Sequence, residues 1–150
     1  MSYILLIVGA VLVNNFVLSQ TLGICPFLGV SRKTKTALGM SGAVIFVITA
    51  ACAVTWAIDH LVLARLGLRY MQTIAFILVI AAFVQLLDIL MKRFTPPLHA
   101  ALGIYLPLIT TNCVVLGIAV LNARDESGFI KSVMFGFAGS TGFALAFIIF

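Results

Sequence analysis

Leu106-Pro107-Leu108-Ile109-Thr110-Thr111-Asn112-Cys113-Val114-Val115-Leu116-Gly117 is the stretch on which the reading of this chain turns. It lies inside an apolar run, yet Pro107, Thr110, Thr111, Asn112 and Cys113 follow in close succession. Polar groups that deep in an apolar segment cost free energy unless they are paired, so they mark function. A weaker copy lies upstream, Leu22-Gly23-Ile24-Cys25-Pro26-Phe27-Leu28-Gly29. Both copies contain Cys-x-x-Leu-Gly. An offset of 88 residues lays Cys25 on Cys113, Leu28 on Leu116 and Gly29 on Gly117.

The surroundings of both copies say what solvent they sit in. Of 150 residues, 63% are hydrophobic and 9% are charged, with a mean hydropathy of +1.27. A soluble domain is about 45–50% apolar and about 25% charged. The class is therefore an integral membrane protein. A membrane β-barrel would alternate polar and apolar residues in segments of about ten. Long unbroken apolar runs point instead to helices, the other backbone solution in lipid. The net charge of +5 suits loops that face anionic headgroups. No Lys/Arg tract alternates with aromatics, which excludes nucleic acid as a partner. The start, Met1–Val13, has no basic leader and reads as part of a first span, not a cleavable signal.

Crossing the hydrocarbon core takes about 20 apolar residues. Span 1 runs from Ser2 toward Val30, and Asn14, Asn15, Ser19, Gln20, Gly23, Pro26 and Gly29 interrupt it. Proline removes a donor and disfavours helix at the residue before it, which puts the break near Cys25. Span 2 is Ala37–Ile58, with Gly39, Gly42, Ala50, Ala51 and Ala53 as a small-residue packing face and Trp56 near the interface. Span 3 is Tyr70–Met91, where Asp88 and Lys92 are spaced to pair on one helix face. Pro96-Pro97 stops that helix. Span 4, Ala100–Leu121, echoes span 1 and carries the second break. Span 5 starts near Gly128, with Gly136, Gly139 and Gly142 as its packing face. The expected fold is thus an all-α multi-span bundle in one transmembrane domain, residues 1–150, with two interrupted helices.

Three spans separate the start of one copy from the start of the next, and an odd number inverts the second unit. Inverted repeats whose broken helices meet near the midplane are a recurring membrane design. The units are about 1–91 and 100–150, so five spans are present. A sixth is expected beyond Phe150, where the chain stops in mid-apolar stretch. Arg32, Lys33, Lys35, Lys92 and Arg93 collect on one side, and Arg65, Arg69, Arg124 and Lys131 on the other. The positive-inside rule makes the first side cytoplasmic and the N-terminus external.

Three cysteines, all within apolar runs, do not form a secreted disulfide framework. Cysteine is often a small core residue, and Cys52, set among alanines without a repeat partner, reads so. Cys25 and Cys113 differ, because each sits at a helix break with a matched Leu-Gly after it. Backbone N–H groups released at a break can stabilise thiolates and bridging sulfides. Iron–sulfur clusters commonly use four cysteine thiolates. Two per chain require two more from a second chain, most simply a homologue facing this one across a pseudo-twofold axis. A Cys25–Cys113 disulfide is the chemical rival. Zinc is disfavoured, since His60 and His99 lie in loops and the apolar runs hold no histidine.

Val13-Asn14-Asn15-Phe16-Val17-Leu18, Leu22-Gly23-Ile24-Cys25-Pro26-Phe27 and Leu106-Pro107-Leu108-Ile109-Thr110-Thr111-Asn112-Cys113 resemble the RnfA family, the A component of the Rnf complex, which is the ion-translocating ferredoxin:NAD oxidoreductase. The resemblance extends to Pro96-Pro97-Leu98 and Leu102-Gly103-Ile104 and runs over the whole chain. The E component of the sodium-translocating NADH:quinone reductase is similar, but Asn14-Asn15-Phe16-Val17 and Thr111-Asn112 look closer to Rnf. The resemblance implies six transmembrane helices in a bacterial inner membrane. It further implies Cys25 and Cys113 as ligands of a 2Fe–2S cluster shared with a homologous membrane protein, RnfE, of opposite orientation. The other partners implied are Rnf subunits B, C, D and G, with flavin and nucleotide chemistry in those chains.

Asn14, Asn15, Thr110, Thr111 and Asn112 can line an ion path, hydrogen-bond cluster sulfurs, or satisfy backbone groups freed at the breaks. Gln85 is a further open candidate for the ion path. Two readings from other classes stand beside the redox one: a small inverted-repeat secondary transporter, and a scaffold that only packs partners.

Overall fold

The computed structural model describes residues 2–13, 15–21, 24–25, 28, 34–67, 69–102, 105–110, 112–124 and 128–149. Asn14, Gly23, Pro26, Gly29, Arg32, Lys33, Thr111, Asp125 and Glu126, and the side chain of Thr110, lie outside what is described. The described backbone is helical almost throughout, as lipid demands of a chain that must pair its own N–H and C=O groups.

In chain order the helices are α1 (Ser2–Val8, continued by a π-helical stretch Gly9–Val13), α2 (Phe16–Gln20), α3 (Thr34–Ile58), α4 (Gln72–Phe94), α5 (Pro96–Leu102), α6 (Leu106–Thr110), α7 (Cys113–Arg124) and α8 (Phe129–Ile149). Four segments are long and apolar enough to cross a membrane: Ala37–Val62, Gln72–Phe94, Pro107–Arg124 and Phe129–Ile149. They match spans 2 to 5. The first span differs from a simple crossing. Its described part is a shorter apolar helix, Tyr3–Val13, then non-helical Asn15 and the brief α2. The interruption of span 4 is present, between α6 and α7. In span 1 the described break falls at Asn15, between α1 and α2, ten residues before Cys25, the expected position; Cys25 itself has helical backbone, and Pro26 lies outside the described residues.

Several boundaries move. The loop expected at Asp59–Arg69 begins as a continuation of α3, π-helical over Asp59–Leu63 and then α-helical over Ala64–Leu66. The turn comes at Gly67, whose φ of +65° suits a residue without Cβ. Pro96-Pro97 does more than stop α4, because Pro96 is also the first residue of α5. A proline at the first helical position gives up an N–H that would be unpaired anyway. α5 folds back on α4, and His99 Nε2 lies 2.8 Å from Asp88 Oδ1. Asp88 therefore pairs with His99 and not with Lys92. His99, expected as a solvated loop residue, is half-buried in that pair, whereas His60 is exposed and stacks on Trp56 at 5.2 Å between ring centroids.

The core joins α3, α4, α6, α7 and α8 through Met40, Val44, Ile48, Phe76, Ile109, Ile118 and Phe143. Lipid is as apolar as these side chains, so contact between them rests on close van der Waals packing. The tightest pair is α3 against α8, where Gly136, Ala138, Gly139, Ser140, Gly142, Ala144 and Ala146 are buried. The glycine face of span 5 thus packs as expected. That of span 2 does not. The buried face of α3 is Met40, Val44, Val47, Ile48, Ala51 and Cys52, which turns Gly39 and Gly42 away from the core. A Cβ at either would meet nothing within 4 Å, whereas at Gly136 it would lie 2.6 Å from Cys52 Sγ. Gly136→Ala is expected to cost about 1–3 kcal/mol as overpacking. Gly42→Ala should be neutral or stabilise by about 0.5–1 kcal/mol through helix propensity. Thermal unfolding of the two variants in detergent checks the contrast.

Candidate metal centre

Asn15 builds the first break. Its side chain is buried and crosses to α8, where Asn15 Nδ2 donates to the carbonyl of Gly142 at 3.1 Å and, more weakly, to that of Val11 at 3.4 Å. α8 comes this close because position 142 lacks a Cβ. One added there would sit 3.3 Å from Val11 Cα and 3.4 Å from the carbonyl oxygens of Ala10 and Val11. The chain then runs through α2 to Thr21, which has φ of +54°. A β-branched residue in the left-handed region is strained by about 1–2 kcal/mol. Nothing in the sequence signalled this position. It redirects the backbone four residues before Cys25. Thr21→Gly is expected to raise stability by about 1 kcal/mol, after the entropy cost of glycine, measurable as a higher unfolding temperature.

Cys25 has helical backbone and is exposed. Leu28, the next position of the repeated motif, is exposed as well, at 84%. The first thiol is thus available to something outside this chain.

The second break is organised by Asn112, which is 2% exposed. Its backbone N–H donates to the carbonyl of Ile109 at 3.2 Å, closing α6. Its carbonyl accepts from Val115 at 3.1 Å and Leu116 at 3.5 Å, opening α7. Its Oδ1 accepts the N–H of Val114 at 3.1 Å. This is the N-cap arrangement, a side-chain oxygen taking one of the donors left over at a helix start. Cys113 is consequently the first residue of the twelve-residue α7, half-buried, at the end of a helix that carries partial positive charge. Asn112 Nδ2, though buried, has no hydrogen-bond partner.

No disulfide joins Cys25, Cys52 and Cys113. Cys52 is a core residue at 1% exposure, packed under α8. Among the described residues no three His, Cys, Asp or Glu side chains gather around one point. A metal on Cys25 or Cys113 therefore needs ligands from outside the described part of this chain. Of the other polar candidates, Asn15 and Asn112 both serve the backbone at breaks. Gln85 lies on the exposed side of α4, away from the buried stripe Phe76, Ile80 and Val84. Asn122 is buried in α7 and donates to the carbonyl of Ser132 at 3.2 Å.

Residues 3–150 match the family described as Rnf-Nqr subunit, membrane protein. The chain is 55% identical over 147 residues to the A component of the ion-translocating oxidoreductase complex of Syntrophotalea carbinolica, an alignment covering 98% of this chain and 76% of that one. It is 51% identical over 150 residues to the A component of the Na(+)-translocating ferredoxin:NAD(+) oxidoreductase complex of Acetobacterium woodii, covering 100% and 78%. It is 50% identical over 148 residues to the A component of the ion-translocating oxidoreductase complex of Edwardsiella ictaluri, covering 99% and 77%. With interrupted membrane helices, a family match over nearly its whole length and half its residues shared with these relatives, the chain belongs to the Rnf-Nqr family of membrane subunits.

Proposed function

We propose that this chain is an electron-carrying subunit of a redox-driven, ion-translocating ferredoxin:NAD oxidoreductase. Cys25 and Cys113 supply two thiolates to a 2Fe–2S cluster, and the homologous RnfE, of opposite orientation, supplies the other two. The observation that carries this is the different setting of the two thiols, one exposed and one at the start of a capped helix. An exposed thiol suits a ligand shared across a subunit boundary. A helix start suits the negative charge of a thiolate–sulfide core. The residues present fit such a group, since a buried amide donor beside Cys113 is left over for an anionic acceptor.

When bound, the cluster would take up and release one electron at a time within the membrane. The chain's own part would be to hold two sulfurs and to place the donors at the start of α7 beside one of them. No residue of this chain is assigned a catalytic role. Ferredoxin, flavin and nicotinamide chemistry belongs to the other subunits of the complex, B, C, D and G. The same family serves the sodium-translocating NADH:quinone reductase, but the relatives compared are A components of the oxidoreductase type, which favours the Rnf reading.

Further support for a repeat comes from packing. Ile48 and Gly136 stand in the same 88-residue relation as Cys25 and Cys113. A Cβ on Gly136 would lie 3.8 Å from the carbonyl of Ile48. Equivalent residues that meet at a helix crossing are what a pseudo-twofold axis through that crossing produces. In this reading the complex lies in the bacterial inner membrane with the N-terminus of this chain on the periplasmic side. Iron and acid-labile sulfide analysis tests the shared site. Both should be found when the chain is purified with its homologous partner, and neither when it is purified alone. Equal iron in the two preparations would contradict a shared ligand set.

A further inference from the structure

We infer that the side-chain amide of Asn112 donates a hydrogen bond to a sulfur of the centre held by Cys113, and that this bond sets how readily the centre accepts an electron. The inference rests on the cluster reading above. It starts from an imbalance at one residue. Three of the four hydrogen-bonding groups of Asn112 are used: its N–H by Ile109, its carbonyl by Val115 and Leu116, and its Oδ1 by Val114. The fourth, Nδ2, is buried without a partner.

The amide cannot be turned to relieve this. Exchanging oxygen and nitrogen would aim the NH2 group at the N–H of Val114, donor against donor. A buried unpaired donor costs about 1–3 kcal/mol. The capping task does not require it, for Asp caps a helix about as well as Asn and leaves no donor behind. Asn at this position therefore brings a surplus donor into a buried site, one residue from the proposed ligand Cys113. What the site calls for is an acceptor that is not itself a donor. Thiolate and sulfide sulfurs are such acceptors. Hydrogen bonds to cluster sulfurs and to ligand atoms tune reduction potential, because they stabilise the more negative, reduced state. Removing the donor while keeping the cap should lower the potential.

The test uses the chain co-purified with its homologous partner. Asn112→Asp keeps the capping oxygen, removes the NH2 group and adds negative charge; Asn112→Ser keeps a capping oxygen and exchanges the NH2 group for a hydroxyl on a shorter side chain, a weaker donor set back toward its own backbone. Iron content should be retained in both. In an EPR-monitored redox titration the midpoint should fall in Asn112→Ser and fall further in Asn112→Asp. Unchanged midpoints with iron retained would overturn the inference and leave the cluster reading intact. If either substitution empties the site, pulsed EPR of the unsubstituted pair carrying isotope-labelled asparagine side chains decides the matter. Hyperfine coupling between the reduced centre and a side-chain amide nitrogen is expected, and its absence overturns the assignment. No iron in the unsubstituted pair would instead remove the cluster reading, and this inference with it.

Discussion

Cys25→Ser and Cys113→Ser, made singly in the assembled complex, are each expected to bring electron transfer down to background while the complex still assembles. The chemistry is one-sided, because iron–sulfur clusters are held by thiolates and a serine hydroxyl is a far weaker ligand at neutral pH. The structural cost is small in both cases. Cys25 is exposed, and Cys113 is half-buried at the first position of α7, where serine fits the helix start. Cys52→Ala is the matched control. Cys52 is buried in the α3–α8 contact, so its loss should reduce stability modestly and leave the redox signal in place. Ferredoxin-dependent NAD reduction by membranes, read beside subunit content on native gels, separates loss of electron transfer from loss of assembly. The reverse pattern, with activity lost in Cys52→Ala and kept in the other two, would contradict the assignment of the ligands.

Gly142→Val is the second large effect. A Cβ at this position already falls 3.3–3.4 Å from the backbone of Ala10 and Val11, and backbone cannot rotate out of the way as a side chain can. The two further methyls of valine would push α1 off α8 and lengthen the bond from Asn15 Nδ2 to the Gly142 carbonyl. Overpacking of this kind costs about 3 kcal/mol, and loss of the buried hydrogen bond adds about 1 kcal/mol. Asn15→Leu removes the side-chain hydrogen bonds of this residue without crowding position 142 and should show only the smaller part. A large drop in folded protein for Gly142→Val and a mild one for Asn15→Leu, measured by fluorescence-detected size exclusion after heating, is the expected ranking. The reverse order would show that the hydrogen bond, and not the close approach, holds the first break in place.

Much of this architecture was legible in the sequence because lipid leaves a backbone few choices. Apolar runs of span length gave spans 2 to 5 nearly to their ends. Asn112 and Pro107 inside an apolar run marked the second break, since neither residue belongs mid-helix in lipid without a reason. What the sequence hid was pairing between distant elements. The contact between Asn15 and Gly142 joins positions 127 residues apart, and no local pattern points from one to the other. Asp88 looked paired with Lys92 by helix spacing, but α5 folds back and presents His99 instead. Gly39 and Gly42 showed that small residues identify a helix able to pack closely, not which side of it is used. The strain at Thr21 was invisible for another reason: threonine carries no signature of left-handed backbone, which only the surrounding structure can impose.

The candidate site was legible to a lesser depth. The repeated Cys-x-x-Leu-Gly singled out Cys25 and Cys113, and Cys52, which reads as a core residue, is buried in the core. The sequence could not show that Cys113 opens a helix capped by the preceding residue, or that the cap leaves one buried donor over.

The most direct test of the central claim is an EPR spectrum of the dithionite-reduced pair, this chain with the homologous partner proposed above, beside the same pair carrying Cys113→Ser. The account predicts the signal of a reduced 2Fe–2S centre in the first sample and none in the second. Equal signals in the two samples, or no signal in the unsubstituted pair, would contradict it.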